Sequence, residues 1–233
     1  MLLPRLHAGV LTRRYKRFLA DVVLDDGREV VAHVANSGAM TGLATPGHRV
    51  FLAEKSGGKL GFSWELVEVE IAGTPALVGV NTMHPNRLGA EAIAAGEIAP
   101  LAGYASLRRE VRYGAGSRVD LLLEDPARGR AYVEIKNVHL WRQGALAEFP
   151  DAVTVRGAKH LRELAQVVAE GGRAAMLFIV QGPAEAFTLA ADIDPAYAAA
   201  FALARAAGVE AYAYSCVLTR ELIRIAKPVP MLC

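Results

Sequence analysis

The sequence predicts an α+β protein in two parts, a small all-β barrel or sandwich followed by a layered α/β sheet. Residues 15 to 80 read as about five short strands broken by turn residues. That spacing suits a barrel or sandwich, because a parallel sheet needs helical crossovers between its strands. After "NTMHPN" (residues 81–86), helix formers appear in "RLGAEAIAAGEIAPLAGY". Strand-like and helix-like segments then alternate, the pattern of an α/β layered sheet. The boundary is placed near residue 84, dividing the chain into domains 1–83 and 84–233.

In chain order, the strands of the first part are "YKRFLADVVL", "EVVAHVA", "HRVFLAE", "LGFSWELVEVEI" and "PALVGV". The separators "DDGR", "NSGAMTGLATPG", "KSGGK" and "AGT" are rich in residues that adopt turn dihedrals. The stretch "NSGAMTGL", residues 36–43, lacks the Lys of a phosphate-binding P-loop and has no helix after it, so it reads as a barrel loop. Asn86 is expected to cap the first helix, with Asn81, Thr82 and His84 organising the junction between domains. That helix ends by Gly96 and Pro100. Two strands are expected at "SRVDLLLED" and "RAYVEIKNV" and a helix near residues 156–170. A strand "AMLFIVQG", a helix near 195–207 and a strand "VEAYAYSCVL" complete the series.

Composition excludes several classes. The formal net charge is +2, from 26 basic and 24 acidic residues, so no bulk positive field marks the chain for nucleic acid or membranes and any basic patch is local. Cys216 and Cys233 give neither a disulfide framework nor zinc-ligand spacing. His7, His33 and His48 are scattered over separate segments and compose no transition-metal site. With no signal peptide and no apolar run of the roughly 18 residues that a membrane span needs, a reducing, cytoplasmic setting is expected.

The chemistry concentrates in "RAYVEIKNVHL", residues 130–140. Glu134 and Lys136 share one face of a strand, since side chains alternate. The loop "DPARG" before it closes a hairpin, and if Glu124 pairs with Arg130 and Leu122 with Tyr132, Asp120 comes opposite Glu134. Directly opposed like charges are destabilising. Two converging carboxylates suit a hard divalent cation such as Mg²⁺, which retains waters for metal-assisted phosphodiester hydrolysis. Lys136 would orient the nucleophile or neutralise phosphate charge. The plainer reading of Glu134 and Lys136 is a solvent-facing charged strip.

"D…ExK" on such a hairpin resembles the PD-(D/E)xK nuclease superfamily, with Val119 standing where a Pro often precedes the Asp. More specifically, "HVANSGAMTGL", "NRL", "EVRYGAGSRVDLLL", "YVEIKNVHL" and "FPDAVTVRGAKHLREL" resemble the sugar fermentation stimulation protein family, in order along nearly the whole chain. The resemblance implies an N-terminal OB-fold-like barrel, a C-terminal nuclease-like domain with a mixed sheet, and DNA binding of little sequence preference linked to sugar (maltose) metabolism. It puts Asp120, Glu134 and Lys136 on the catalytic motif positions, and Glu110, Asp120 and Glu134 on the metal.

Glu110, ten residues before Asp120, is read as lying on a preceding helix, where it either adds a metal ligand or pairs with Arg108, Arg109 or Arg112. On the helix near 156–170, Arg156, Lys159, His160 and Glu163 share a polar face, either simply solvated or laid over the sheet edge with Arg156 and Lys159 on DNA phosphates. His160 is weighed as a catalytic base. The cluster "RRYKRF" supplies Arg13, Arg14, Lys16 and Arg17 with Tyr15 and Phe18 interleaved, a pattern that OB folds use on single strands and that also serves mere solubility. Phe51, Phe62 and Trp64 lie on later strands as core or stacking platforms. The expectation is a Mg²⁺-dependent nuclease acting on DNA, possibly single-stranded, without membrane attachment. The alternatives are a DNA-binding regulator that does not cleave and a small-molecule or sugar-binding module.

Overall fold

In the computed structural model, which describes residues 1–114 and 116–233, strands β1 (Leu6–Tyr15), β2 (Leu19–Leu24), β3 (Glu29–His33), β4 (Arg49–Glu54), β5 (Phe62–Ile71) and β6 (Thr74–Gly79) build the first part. They pair in the order β3-β2-β1-β4-β5-β6, and a parallel contact between β3 and β5 bends the sheet into a barrel. Leu11, Leu52, Trp64, Val67 and Val78 fill it and are almost fully buried. Phe51 is buried too, so Phe51 and Trp64 are core and not stacking platforms, while Phe62 stays partly exposed beside His7.

The second part opens with α1 (His84–Ala94) and a single 3₁₀ turn at Ala99–Leu101. A meander follows, of β7 (Ser106–Tyr113), β8 (Ser117–Asp125) and β9 (Gly129–Val138). Next come β10 (Leu140–Gln143), β11 (Leu146–Phe149), α2 (Val155–Ala169), β12 (Arg173–Val180), β13 (Ala186–Leu189), α3 (Pro195–Ala206), β14 (Glu210–Leu218) and β15 (Ile223–Pro228). The six-stranded sheet runs β15-β14-β12-β9-β8-β7, parallel at β9–β12 and β12–β14 and antiparallel elsewhere. Strand β12 reads "RAAMLFIV" and is buried from Ala174 to Val180, as a central parallel strand covered on both faces must be. Alternation along β9 sends Val133 and Ile135 to one face with Leu88 and Ile93 of α1, and Tyr132 and Val138 to the other with Leu161 and Leu164 of α2. Phe51 and Leu66 of the barrel join the first cluster, so the two parts share apolar core. This is the α+β arrangement expected from the sequence, an OB-like barrel beside a mixed α/β sheet.

Several elements differ from expectation. Strand β1 begins at Leu6, and "YKRF" is not a strand start but the turn into β2, with Lys16 and Arg17 at positive φ of 48° and 62°. Residues 106–113 form edge strand β7, not a helix, so Glu110 lies on a strand. The small sheet β10-β11-β13 and the edge strand β15 were not anticipated either. Asn86 lies inside α1 instead of capping it, with Met83 at the cap position and Pro85 in the first turn. The junction residues behave as expected, with Asn81 and His84 bonding Glu65 at 2.8 and 2.6 Å and Thr82 Oγ1 donating to the Ala35 carbonyl at 2.7 Å.

Candidate active site

The hairpin has the anticipated register, with Leu122 opposite Tyr132 and Glu124 opposite Arg130. Its ladder stops at Leu121 and Val133. One residue further the Asp120 carboxylate takes over, and Oδ2 accepts the Ile135 N–H at 2.7 Å. Across β7–β8 the ladder is also interrupted, in unchanged register, between the pairs Arg109–Leu121 and Val111–Val119, and Glu110 adopts a φ of 55°. Glu110 and Asp120 therefore stand where the backbone ladders on both sides of β8 are interrupted. Asn86 of α1 donates to both, at 3.3 Å to Glu110 Oε1 and 2.8 Å to Asp120 Oδ1. Nothing in the sequence distinguished this amide from a helix cap.

Glu134 is 2% exposed. Its Oε1 accepts from Lys136 Nζ at 2.6 Å and from His160 Nδ1. Arg156 Nε donates to His160 Nε2 at 3.2 Å, so that nitrogen is the acceptor and Nδ1 carries the proton given to Glu134. The polar face expected on α2 is thus turned inward at His160, which is buried. Arg156 helps fix its tautomer, while Lys159 stays half-exposed with Glu163 at 3.6 Å.

What stays unpaired defines the site. Glu134 Oε2, Glu163 Oε2 and the Tyr113 hydroxyl are buried with no hydrogen-bond partner among the described residues. Burial and the neighbouring Glu134 charge push the Asp120 carboxyl up to about 6, against the pull of Ile135, Lys136 and Asn86. Burial also lifts Glu134, but His160 and Lys136 overcome it and hold that carboxyl below its ordinary value. Burial, then the charges of Glu134, Glu163 and Asp120, push the Tyr113 hydroxyl upward and keep it protonated. Among the described residues, no three His, Cys, Asp or Glu side chains converge as a cation cage. Mg²⁺ does not need one, since it binds through one or two carboxylates and keeps its waters. A buried carboxylate oxygen without a partner, next to a second carboxyl that holds its proton unusually well, fits such an ion.

A cleft of ≈ 740 Å³ lies between the barrel loop 36–39 and residues 149–154, with Asn137 and His139 on its wall and none of Asp120, Glu134 and Lys136 lining it. Arg14 is spent in shaping it, donating to the carbonyls of Arg17, Asn36, Gly38 and Ala39 at 2.9–3.1 Å. Arg13 is engaged with Asp21 at 2.6 Å and stacks on Tyr15. Lys16 and Arg17 remain exposed, and Arg17 lines the cleft. Gln181 Nε2 donates to Asn137 Oδ1 at 2.7 Å. The two ring nitrogens of His139 lie against Asn137 Nδ2 at 2.7 Å (Nδ1) and Asn36 Nδ2 at 3.0 Å (Nε2), and Nε2 also faces Asp151 at 3.4 Å. Asp151 also accepts the Met40 N–H at 3.1 Å. Only glycine fits at position 38, because a Cβ there would overlap the Asp151 carboxylate.

A barrel joined through shared core to a mixed α/β sheet, with paired carboxylates on the sheet's central hairpin, defines a two-domain protein with an OB module and a site domain. One family model, described as the SfsA N-terminal OB domain, matches residues 12–80. A second, described as the sugar fermentation stimulation protein RE domain, matches residues 83–222. The chain belongs to the sugar fermentation stimulation protein family. It is 59% identical over 225 residues to the "Sugar fermentation stimulation protein homolog" of Azorhizobium caulinodans, covering 95% of each chain. To that of Rhodospirillum centenum it is 61% identical over 220 residues, covering 93% of each. Among solved structures, "The structure of Pyrococcus Furiosus SfsA in complex with Ca2+" matches with a TM-score of 0.88 and 28% identity, covering 100% of this chain and 98% of that one. No helix among the described residues is long and apolar enough to cross a membrane.

Proposed function

We propose that Asp120, Glu134 and Lys136 form a divalent-metal-dependent site that hydrolyses phosphodiester bonds in DNA. The observation that carries this reading is the unpartnered, buried Oε2 of Glu134 beside the proton-retaining Asp120. Leaving a buried carboxylate oxygen unpaired costs several kcal/mol, and a cation there would offset that cost. The Ca²⁺ in the Pyrococcus furiosus relative supports a hard divalent ion, and Mg²⁺ is the reading here, held by Asp120 and Glu134 with Glu110 alongside. Bound Mg²⁺ supplies charge stabilisation on the phosphoryl oxygens and an acidified water.

The chain's own groups do the positioning. His160, its tautomer fixed by Arg156, and Lys136 both occupy Glu134 Oε1, which leaves Oε2 for the ion. Lys136 also brings positive charge to the reacting phosphate. The protonated Tyr113 hydroxyl, buried and unpartnered, is a spare donor facing the same carboxylates. Through DNA, the site would connect to the sugar use for which the family is named.

Plasmid and single-stranded oligonucleotide incubated with Mg²⁺ or with chelator test this. The expected result is metal-dependent cleavage that Asp120→Ala and Glu134→Gln abolish and Glu29→Gln leaves intact. Cleavage surviving Asp120→Ala overturns the assignment. Binding without cleavage in every condition replaces it with a regulator that holds DNA on the same scaffold.

A further inference from the structure

The β7–β8–β9 meander handles its arginines differently at its two ends. At one end Glu124 of β8 accepts from Arg108 of β7 at 2.8 Å and from Arg130 of β9 at 3.0 Å, so one carboxylate is shared by two guanidinium groups. At the other end of the same strand pair, Arg112 of β7 lies directly across from Arg118 of β8. Both are exposed, and among the described residues neither forms an ion pair or a side-chain hydrogen bond of the kind seen around Glu124. Directly opposed residues on a ladder bring their Cβ atoms to within about 4.5–5.5 Å, and like charges placed so are destabilising. The fold gains nothing from such a pair. Its position is also specific, since Arg112 follows Glu110 by two residues and Arg118 precedes Asp120 by two.

We infer that Arg112 and Arg118 form a phosphate clamp that grips one phosphodiester of the nucleic-acid backbone beside the Asp120 site. The inference rests on the nucleic-acid reading above and adds where the strand runs, along the β7–β8 end of the sheet. Two guanidinium forks facing one gap suit a phosphate, which accepts paired N–H donors and supplies the negative charge that Glu124 provides at the other end. An incoming phosphodiester therefore relieves a repulsion as well as forming contacts.

Two readouts moving in opposite directions test it. Affinity for a fluorescent single-stranded oligonucleotide is measured against salt for the wild type, Arg112→Gln, Arg118→Gln, the double variant and the paired-end control Arg108→Gln. Each single change should lower the slope of log affinity against log salt by about 0.7, and the double by about 1.4. The same changes should raise the melting temperature without DNA by about 1–3 °C, because the opposed charges are gone. Arg108→Gln should leave the slope unchanged and should not raise the melting temperature. Inorganic phosphate at matched ionic strength should compete only weakly, and strong competition would indicate a free-anion site instead. Unchanged slopes in the double variant, or a lowered melting temperature, overturn the clamp while the nucleic-acid reading stands. Absence of oligonucleotide binding by the wild type removes both.

Discussion

Two polar clusters meet near the end of β9, and they are completed to different degrees. In the junction cluster of Gln181, Asn137, His139, Asn36 and Asp151 each side chain is engaged by a neighbour, and the one buried leftover is the neutral Gln181 Oε1. In the cluster around Glu134, the leftovers are two carboxylate oxygens and a phenol hydroxyl, all buried. An unpaired neutral amide oxygen is a modest cost, whereas an unpaired carboxylate oxygen is a large one. The contrast separates a network that is nearly closed from one that leaves charged groups open, and each side of it is open to perturbation.

The largest effect expected is on chemistry. Asp120→Ala should reduce Mg²⁺-dependent cleavage by at least about ten-thousandfold, roughly 5.4 kcal/mol of barrier, with an unchanged circular dichroism spectrum. His160→Ala comes next, because it strips a buried carboxylate of its donor, and denaturant unfolding should report a loss of about 3–5 kcal/mol. The opposite sign is expected for Asp120→Asn in chelator. The folded protein binds the Asp120 proton more tightly than the unfolded chain does, so this group favours folding below about pH 4 and loses that effect as pH rises through about 6. The asparagine variant should therefore be more stable than wild type by up to about 3 kcal/mol at pH 7.5 and no more stable at pH 3.5. A wild type that holds its own at neutral pH without metal would contradict the view of Asp120 and Glu134 as a strained pair.

On the junction side the effects are smaller. Gly38→Ala forces the loop off Asp151 and should cost about 1–3 kcal/mol in thermal unfolding, as overpacking does. Burial alone would raise the Asp151 carboxyl, but His139 and the Met40 N–H hold it below its ordinary value. Its stabilisation is thus present above about pH 4 and lost as pH falls. The gap in melting temperature between wild type and Asp151→Asn should close on acidification. If Gly38→Ala or Asp151→Asn instead removed cleavage while leaving stability intact, the division between shape and chemistry would need redrawing at the cleft.

The hairpin was readable because its evidence is local. A turn-rich loop of five residues fixes which residues oppose, and Leu122–Tyr132 and Glu124–Arg130 follow from counting. Strand β7 was not readable, because "SLRREVRY" is an edge strand whose exposed arginines carry helix propensity and no apolar alternation. That error placed Glu110 on a helix. Long-range contacts were equally hidden. Asn86 and His160 stand 74 positions apart, and nothing along that stretch signals that both reach the carboxylates of one hairpin. Arg14 looked like a backbone-tracking cation, and only the folded loop shows its guanidinium consumed by four carbonyls.

Phe51 and Leu66 belong to the same apolar cluster as Leu88, Val133 and Ile179. A seam of that kind makes neither half a transplantable cassette, and a calorimeter should record one heat-absorption peak for the intact chain. Damage deep in the barrel, such as Leu66→Ala, would then lower the cellular abundance of the whole protein and mimic an active-site defect without altering a site residue.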